Sequence, residues 1–181
     1  MFDPTPATQL TPPVSARDHT EGPASAASTL LEFGDYQCPY CGEAQKTIEA
    51  VQQRLGGHLR FAFRNFPLVD AHPYAEGAAE AAEAAAAQGK FWEMHDLLYE
   101  SQNALDQADL LRYAKQLGLD VDRFRQDVES HRYHERIEED VQSGEESGIP
   151  GTPTFFINGE LYQGSPDVDS MVAALQQAAN V

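Results

Sequence analysis

The strongest constraint on this chain is Cys38-Pro39-Tyr40-Cys41, a stretch that holds both of its cysteines. The apolar segment Leu30-Leu31-Glu32-Phe33-Gly34-Asp35 precedes it and reads as a buried strand. Glu43 to Leu55 follows and reads as a helix, with Ile48, Val51, Gln52 and Leu55 recurring at a 3.6-residue period. The pair therefore lies where a strand becomes a helix. With Cys38 at the N-cap, Pro39 falls at the first helical position, where a missing N–H costs nothing and the fixed φ suits the helix. The Cys38 sulfur then faces unpaired backbone N–H groups and the positive end of the helix dipole, and both favour thiolate. Cys41, nearly a turn later, is expected to be more buried. One nucleophilic and one resolving thiol make a dithiol/disulfide couple.

Two other readings compete with a redox pair, namely zinc ligation and two incidental core cysteines. A closed structural zinc site usually takes four ligands. There is no second cysteine pair, and the histidines offer one close pair, His131-Arg132-Tyr133-His134, in a polar helical stretch. The ligand count argues against zinc, and no metal is expected.

The balance of 12 basic against 29 acidic residues gives a net charge of −17, which repels phosphate backbones and anionic lipid. Nucleic acid and membrane surfaces are therefore not expected partners. No apolar run approaches the roughly 18 residues of a membrane span. Met1 to Leu10 carries neither a basic nor an apolar leader segment, so the expected compartment is the cytoplasm, or an extracytoplasmic space if a signal peptide has been removed.

Along the chain, residues 1–27 are rich in proline and read as an extended arm with a short edge strand near Val14. Leu59 to Phe66 reads as a second strand, parallel to the first across a helical crossover. Between 74 and 147 the periodicity predicts helices only. Ala75 to Ala87 is mostly alanine and glutamate, strong helix formers with small side chains suited to close packing. Phe91 to Tyr99 follows, with His95 expected as a hydrogen-bonded structural residue. Asp106 and Gly118 bracket a further helix, and segments near 120–130 and 132–147 complete the helical stretch. Thr154 to Ile157 is a β-branched and aromatic strand, Asn158-Gly159 a two-residue hairpin turn, and Glu160 to Gly164 its partner. A last helix opens near Asp167. The expected class is α/β, with a four-stranded mixed sheet in a unit formed by 28–73 and 148–181, and an all-helical domain, 74–147, inserted in it.

This combination of strand, CxxC, helix, helical insertion and Gly151-Thr152-Pro153-Thr154-Phe155-Phe156-Ile157-Asn158-Gly159 resembles the DsbA-like thiol–disulfide oxidoreductases of the thioredoxin superfamily. The resemblance spans residues 28–179. It implies Cys38 as the attacking thiol and Cys41 as the resolving one. Pro153 would be the family's cis-proline, presenting the preceding backbone to an extended substrate, and Glu32 the family's buried acid, exchanging a proton with Cys41. Pro39, Tyr40 and Thr152 stand where family members tune potential and meet substrate. Pro-Tyr is also the pair of glutaredoxins and differs from the Pro-His of strongly oxidising DsbA proteins. The family needs no metal or organic cofactor. Its implied partners are thiols or disulfides of extended or unfolded polypeptides and a recycling partner or glutathione, with substrate beside Pro153 or under the helical block. The chain is expected to act as a monomer. The alternatives are a glutathione-dependent reductase and a peptide-binding chaperone whose cysteines act as a redox switch.

Overall fold

A computed structural model describes residues 9–180. Residues 1–8 of the expected arm, with most of the segment scanned for a leader, and residue 181 lie outside the described residues. Five strands form one mixed sheet: β1 (His19–Glu21), β2 (Ser28–Gly34), β3 (Leu59–Asn65), β4 (Thr154–Ile157) and β5 (Glu160–Leu161), in the order β1-β3-β2-β4-β5. The helices are α1 (Pro39–Leu55), α2 (Ala75–Ala86), α3 (Phe91–Glu100), α4 (Gln107–Gln116), α5 (Val121–Glu129), α6 (His134–Glu146) and α7 (Val168–Ala178).

β2 lies at the centre because nearly every one of its residues can be buried. It pairs in parallel with β3 along its length and antiparallel with β4 over Leu30 to Phe33, so its central backbone groups find partners on both sides. Side chains alternate across the sheet. Leu30 joins Phe61, Phe63, Phe155 and Ile157 beneath α1, α3 and α7, whereas Leu31 and Phe33 join Ala62, Phe156 and Leu10 on the opposite face. Glu32 and Gly34 share the face of Leu30 by the same alternation. The strands β3, β2, β4 and β5 are the four-stranded mixed sheet read from the sequence.

β1 is a fifth strand, and it corrects the expectation near Val14. Pro12 and Pro13 remove two ladder donors there, while His19-Thr20-Glu21 pairs antiparallel with Phe63, Ala62 and Phe61. The His19 ring stacks on Phe91 at 3.7 Å, and its Nε2 lies 2.9 Å from Glu83 Oε1. Further contacts tie the arm to the sheet and to α6. The fully buried Arg64 donates to both carboxylate oxygens of Asp18 (2.7 and 3.0 Å), to the Pro12 carbonyl (3.0 Å) and to Ser143 Oγ (2.7 Å). Arg136 donates to Glu83 (2.7 Å) and to the Arg17 carbonyl (2.7 Å).

The alanines of α2 are buried and let it pack closely on α3 and α5. Asp106 caps α4 in a reciprocal capping box with Asp109, and Asp120 and Asp167 cap α5 and α7.

Candidate redox site

Cys38 is the N-cap of α1, with extended backbone (φ −69°, ψ 121°) and Pro39 at the first helical turn. No side-chain oxygen caps this helix, so the Cys38 sulfur stands at an end whose N–H groups and dipole favour negative charge. Cys38 is 3% exposed and Cys41 fully buried, while Tyr40 between them is 71% exposed. Both cysteines are free thiols.

The loop leading into α1 is held by Asp35. Its Oδ1 accepts from the backbone N–H groups of Gln37 (2.7 Å) and Cys38 (3.2 Å), and its Oδ2 from Leu68 N–H (2.8 Å), with His72 Nδ1 at 2.7 Å. From the helical side, Gln102 donates one amide to the carbonyls of Tyr36 (2.9 Å) and Cys38 (2.8 Å). Gly42 leaves the space that Gln102 fills, since a β-carbon there would lie 2.2 Å from its Oε1.

The peptide bond Thr152–Pro153 is cis. The Thr152 carbonyl accepts from the Cys38 thiol at 3.6 Å. Two segments 114 residues apart thus meet at one sulfur.

Glu32 lies behind the pair. Its strand partners are Phe63 on β3 and Phe155 on β4, so its carboxyl is flanked by aromatic neighbours on the core face. It is 0% exposed, and neither oxygen has a hydrogen-bond partner among the described residues. Burial pushes its pKa up to about 8. Burial also pushes the Cys41 thiol far up, and the Glu32 charge adds to the shift; the Asp35 backbone and the Thr152 side chain act the other way. The Tyr99 hydroxyl, also buried and without a hydrogen-bond partner among the described residues, feels both Glu32 and Cys41. Glu32 therefore does not face water, although β2 ends only two residues beyond it. His95 is the buried, hydrogen-bonded residue anticipated: Nδ1 is 2.9 Å from Tyr36 Oη, Nε2 is 3.2 Å from Gln45 Oε1, and burial holds its pKa down near 3.

A groove of about 600 Å³ runs beside the site between the first turns of α1 and the β4–β5 hairpin. Tyr40, Glu43, Thr47, Thr152, Pro153 and Tyr162 are among its lining residues. Pro39 is not, and neither is any residue of 74–147, so this groove does not lie under the helical block. Asp35, Gln102 and Tyr99 were not singled out by sequence reading. Asp35 carried a local signal, an Asp whose side chain can accept N–H groups of the turn that follows it. Gln102 and Tyr99 carried none, because their targets lie more than 55 residues away along the chain.

These features define a thioredoxin-fold protein with a CxxC pair at a helix N-terminus and an inserted helical unit. The chain belongs to the thioredoxin family, whose model matches residues 15–177. Among solved structures it is similar to oxidised BdbD from Bacillus subtilis (TM-score 0.85, 22% identity, covering 96% of this chain and 99% of that one). It is also similar to a thioredoxin-like oxidoreductase from Silicibacter pomeroyi (TM-score 0.82, 26% identity, 92% and 95% covered). The fold, including the helical insertion, is that of DsbA-like proteins. Among curated proteins, the chain is 48% identical over 162 residues to the Na(+)/H(+) antiporter NhaA 1 of Salinispora arenicola. That match covers 90% of this chain and 25% of the relative, so the chain spans about a quarter of the length of the curated relatives it matches.

Proposed function

We propose that this chain catalyses thiol–disulfide exchange with polypeptide substrates through Cys38 and Cys41. The observation that carries the reading is the Cys38 sulfur, set at the N-terminus of α1 and 3.6 Å from the Thr152 carbonyl, with Cys41 buried behind it.

In the reductive direction, the Cys38 thiolate attacks one sulfur of a substrate disulfide. A Cys38–substrate disulfide forms and the other substrate sulfur leaves as thiolate. Cys41 loses its proton and attacks Cys38 Sγ, closing the Cys38–Cys41 bond and releasing the second substrate thiolate. Two electrons pass from the cysteine pair to the substrate. In the oxidative direction, a substrate thiolate attacks the Cys38–Cys41 bond and the same steps run backwards. Glu32, deprotonated, accepts the Cys41 proton and, protonated, returns it; burial, by raising its pKa to about 8, keeps both forms within reach near neutral pH. The groove supports an extended polypeptide as substrate, with Tyr40 and Tyr162 as apolar contacts and the Thr152 backbone beside the reacting sulfur.

The relatives named as antiporters are about four times as long as the shared region. No helix of the described residues is long and apolar enough to cross a membrane. We therefore assign redox chemistry, not ion transport, to this stretch.

Equilibrating the protein against a series of glutathione redox buffers, followed by thiol trapping, tests the reading. An intramolecular disulfide is expected, and Cys38→Ser should abolish exchange with a disulfide-bonded test protein. A potential near about −120 to −180 mV would mark an oxidant, and one near about −230 to −270 mV a reductant. Failure to form the disulfide overturns the proposal. So does a Cys38→Ser protein whose only activity, suppression of aggregation, is unchanged from the parent.

A further inference from the structure

The His131-Arg132-Tyr133-His134 pair, a polar surface feature in the sequence, meets two carboxylates in the fold. Glu76 and Glu80 lie one turn apart on α2, so their side chains share one face. His134 opens α6 opposite them. His131 precedes it in the turn from α5, with φ +51°, a left-handed conformation uncommon outside glycine. We infer that Glu76, Glu80 and His134 form a binding site for a divalent transition-metal ion, with Zn²⁺ the best fit.

One donor atom from each of the three residues lies within 4.8 Å of the other two. His134 Nδ1 is 3.1 Å from Glu76 Oε1. Zinc bonds of about 2.0–2.1 Å in a tetrahedron place ligand atoms about 3.3 Å apart, so small side-chain rotations suffice to centre an ion. Glu80 is the fixed ligand. Its side chain is 4% exposed, and His131 Nδ1 sits 2.8 Å from its Oε1, orienting the carboxylate from behind as outer partners of metal ligands do. Glu76 and His134 are about half exposed, which leaves an open path for the ion.

The donor set selects the metal class. An imidazole nitrogen disfavours Ca²⁺ and Mg²⁺, and two carboxylates complete a charge-neutral site around a 2+ ion. Three protein ligands leave one position for water. The ion would take the Nδ1 lone pair of His134 and one oxygen from each carboxylate.

The test is calorimetric titration of the full chain with zinc chloride, in the oxidised form so that Cys38 and Cys41 offer no thiolate. The expected result is saturable binding of one ion per chain. Glu76→Gln and His134→Gln should each weaken binding at least tenfold. Both positions are half exposed, and unchanged urea unfolding in the absence of metal confirms that the variants fold. His131→Gln should weaken binding less, by about tenfold or below. Absence of saturable binding overturns the site, as does binding that persists at full strength in both Glu76→Gln and His134→Gln.

Discussion

Replacing Glu32 by Gln should change how the stability of this protein depends on pH. The carboxyl is fully buried between Phe63 and Phe155 and lacks a hydrogen-bond partner among the described residues. Burial raises its pKa from the ordinary 4.5 to about 8. Between those values the folded state keeps a proton that the unfolded chain has lost, so stability falls as pH rises through the window. The slope is about 1.4 kcal/mol per pH unit, and the whole interval corresponds to about 5 kcal/mol, an upper bound because water entering the site would solvate the carboxylate. Glutamine has nearly the same shape and never ionises. Parent and E32Q should therefore match within about 1 kcal/mol near pH 4.5, and the variant should be more stable by several kcal/mol at pH 9. Urea unfolding of both proteins at pH 4.5, 6, 7.5 and 9, in the disulfide form so that neither thiol titrates, measures the difference directly. A stability difference that stays flat from pH 4.5 to 9 would refute the reasoning, because it would mean that Glu32 ionises alike in the folded and unfolded chain.

Gly42→Ala drives a β-carbon into the Gln102 amide and should cost about 1–3 kcal/mol by loosening its bonds to the Tyr36 and Cys38 carbonyls. In a double-mutant cycle with Gln102→Ala the two losses should be clearly less than additive; full additivity would show that Gly42 acts elsewhere. Arg64→Met should cost about 3–5 kcal/mol at neutral pH by leaving Asp18 buried without its partner. Burial pushes the Asp18 carboxyl up, but Arg64, the Ser15 N–H and Arg17 together outweigh it and hold the group below its ordinary value, so their contribution is present above that value and lost as pH falls. The penalty of Arg64→Met should shrink as the pH is lowered below 4, and a penalty independent of pH would point to lost packing alone.

The parts of this fold that were legible in the sequence are those set by local pattern. Leu30 to Gly34 is apolar enough for a strand buried on both faces, Ile48 and Val51 repeat at helical spacing, and Asn158-Gly159 specifies its own turn. β1 was misplaced because His19, Thr20 and Glu21 have no apolar alternation. What holds them is pairing with β3, the Phe91 ring and the Glu83 carboxylate, partners that lie 40 or more residues away. Arg64 is a charged residue at a buried position of β3 for the same reason. Its guanidinium is buried because Asp18 and Pro12 of the arm and Ser143 of α6 come to it from two other parts of the chain.

The site divides along the same line. Cys38, Pro39 and Cys41 could be read directly, since an N-cap position and a first-turn proline are local facts. The role of Thr152 and Pro153 came only through resemblance, because nothing in their neighbours says that they will meet a sulfur 114 residues earlier. Glu32 shows where the two kinds of information join. A lone acid at an inward position of an apolar strand conflicts with the pattern around it, and folding cannot remove the conflict by rotating the residue outward, because both strand neighbours and both sheet faces are covered. The chain resolves it by keeping a proton on the carboxyl. A misfit of this kind, an ionisable group held where hydrophobic burial forces its titration toward neutral pH, is itself a sequence-level pointer to proton transfer, and it lies beside the one thiol that must lose a proton for the proposed exchange to finish.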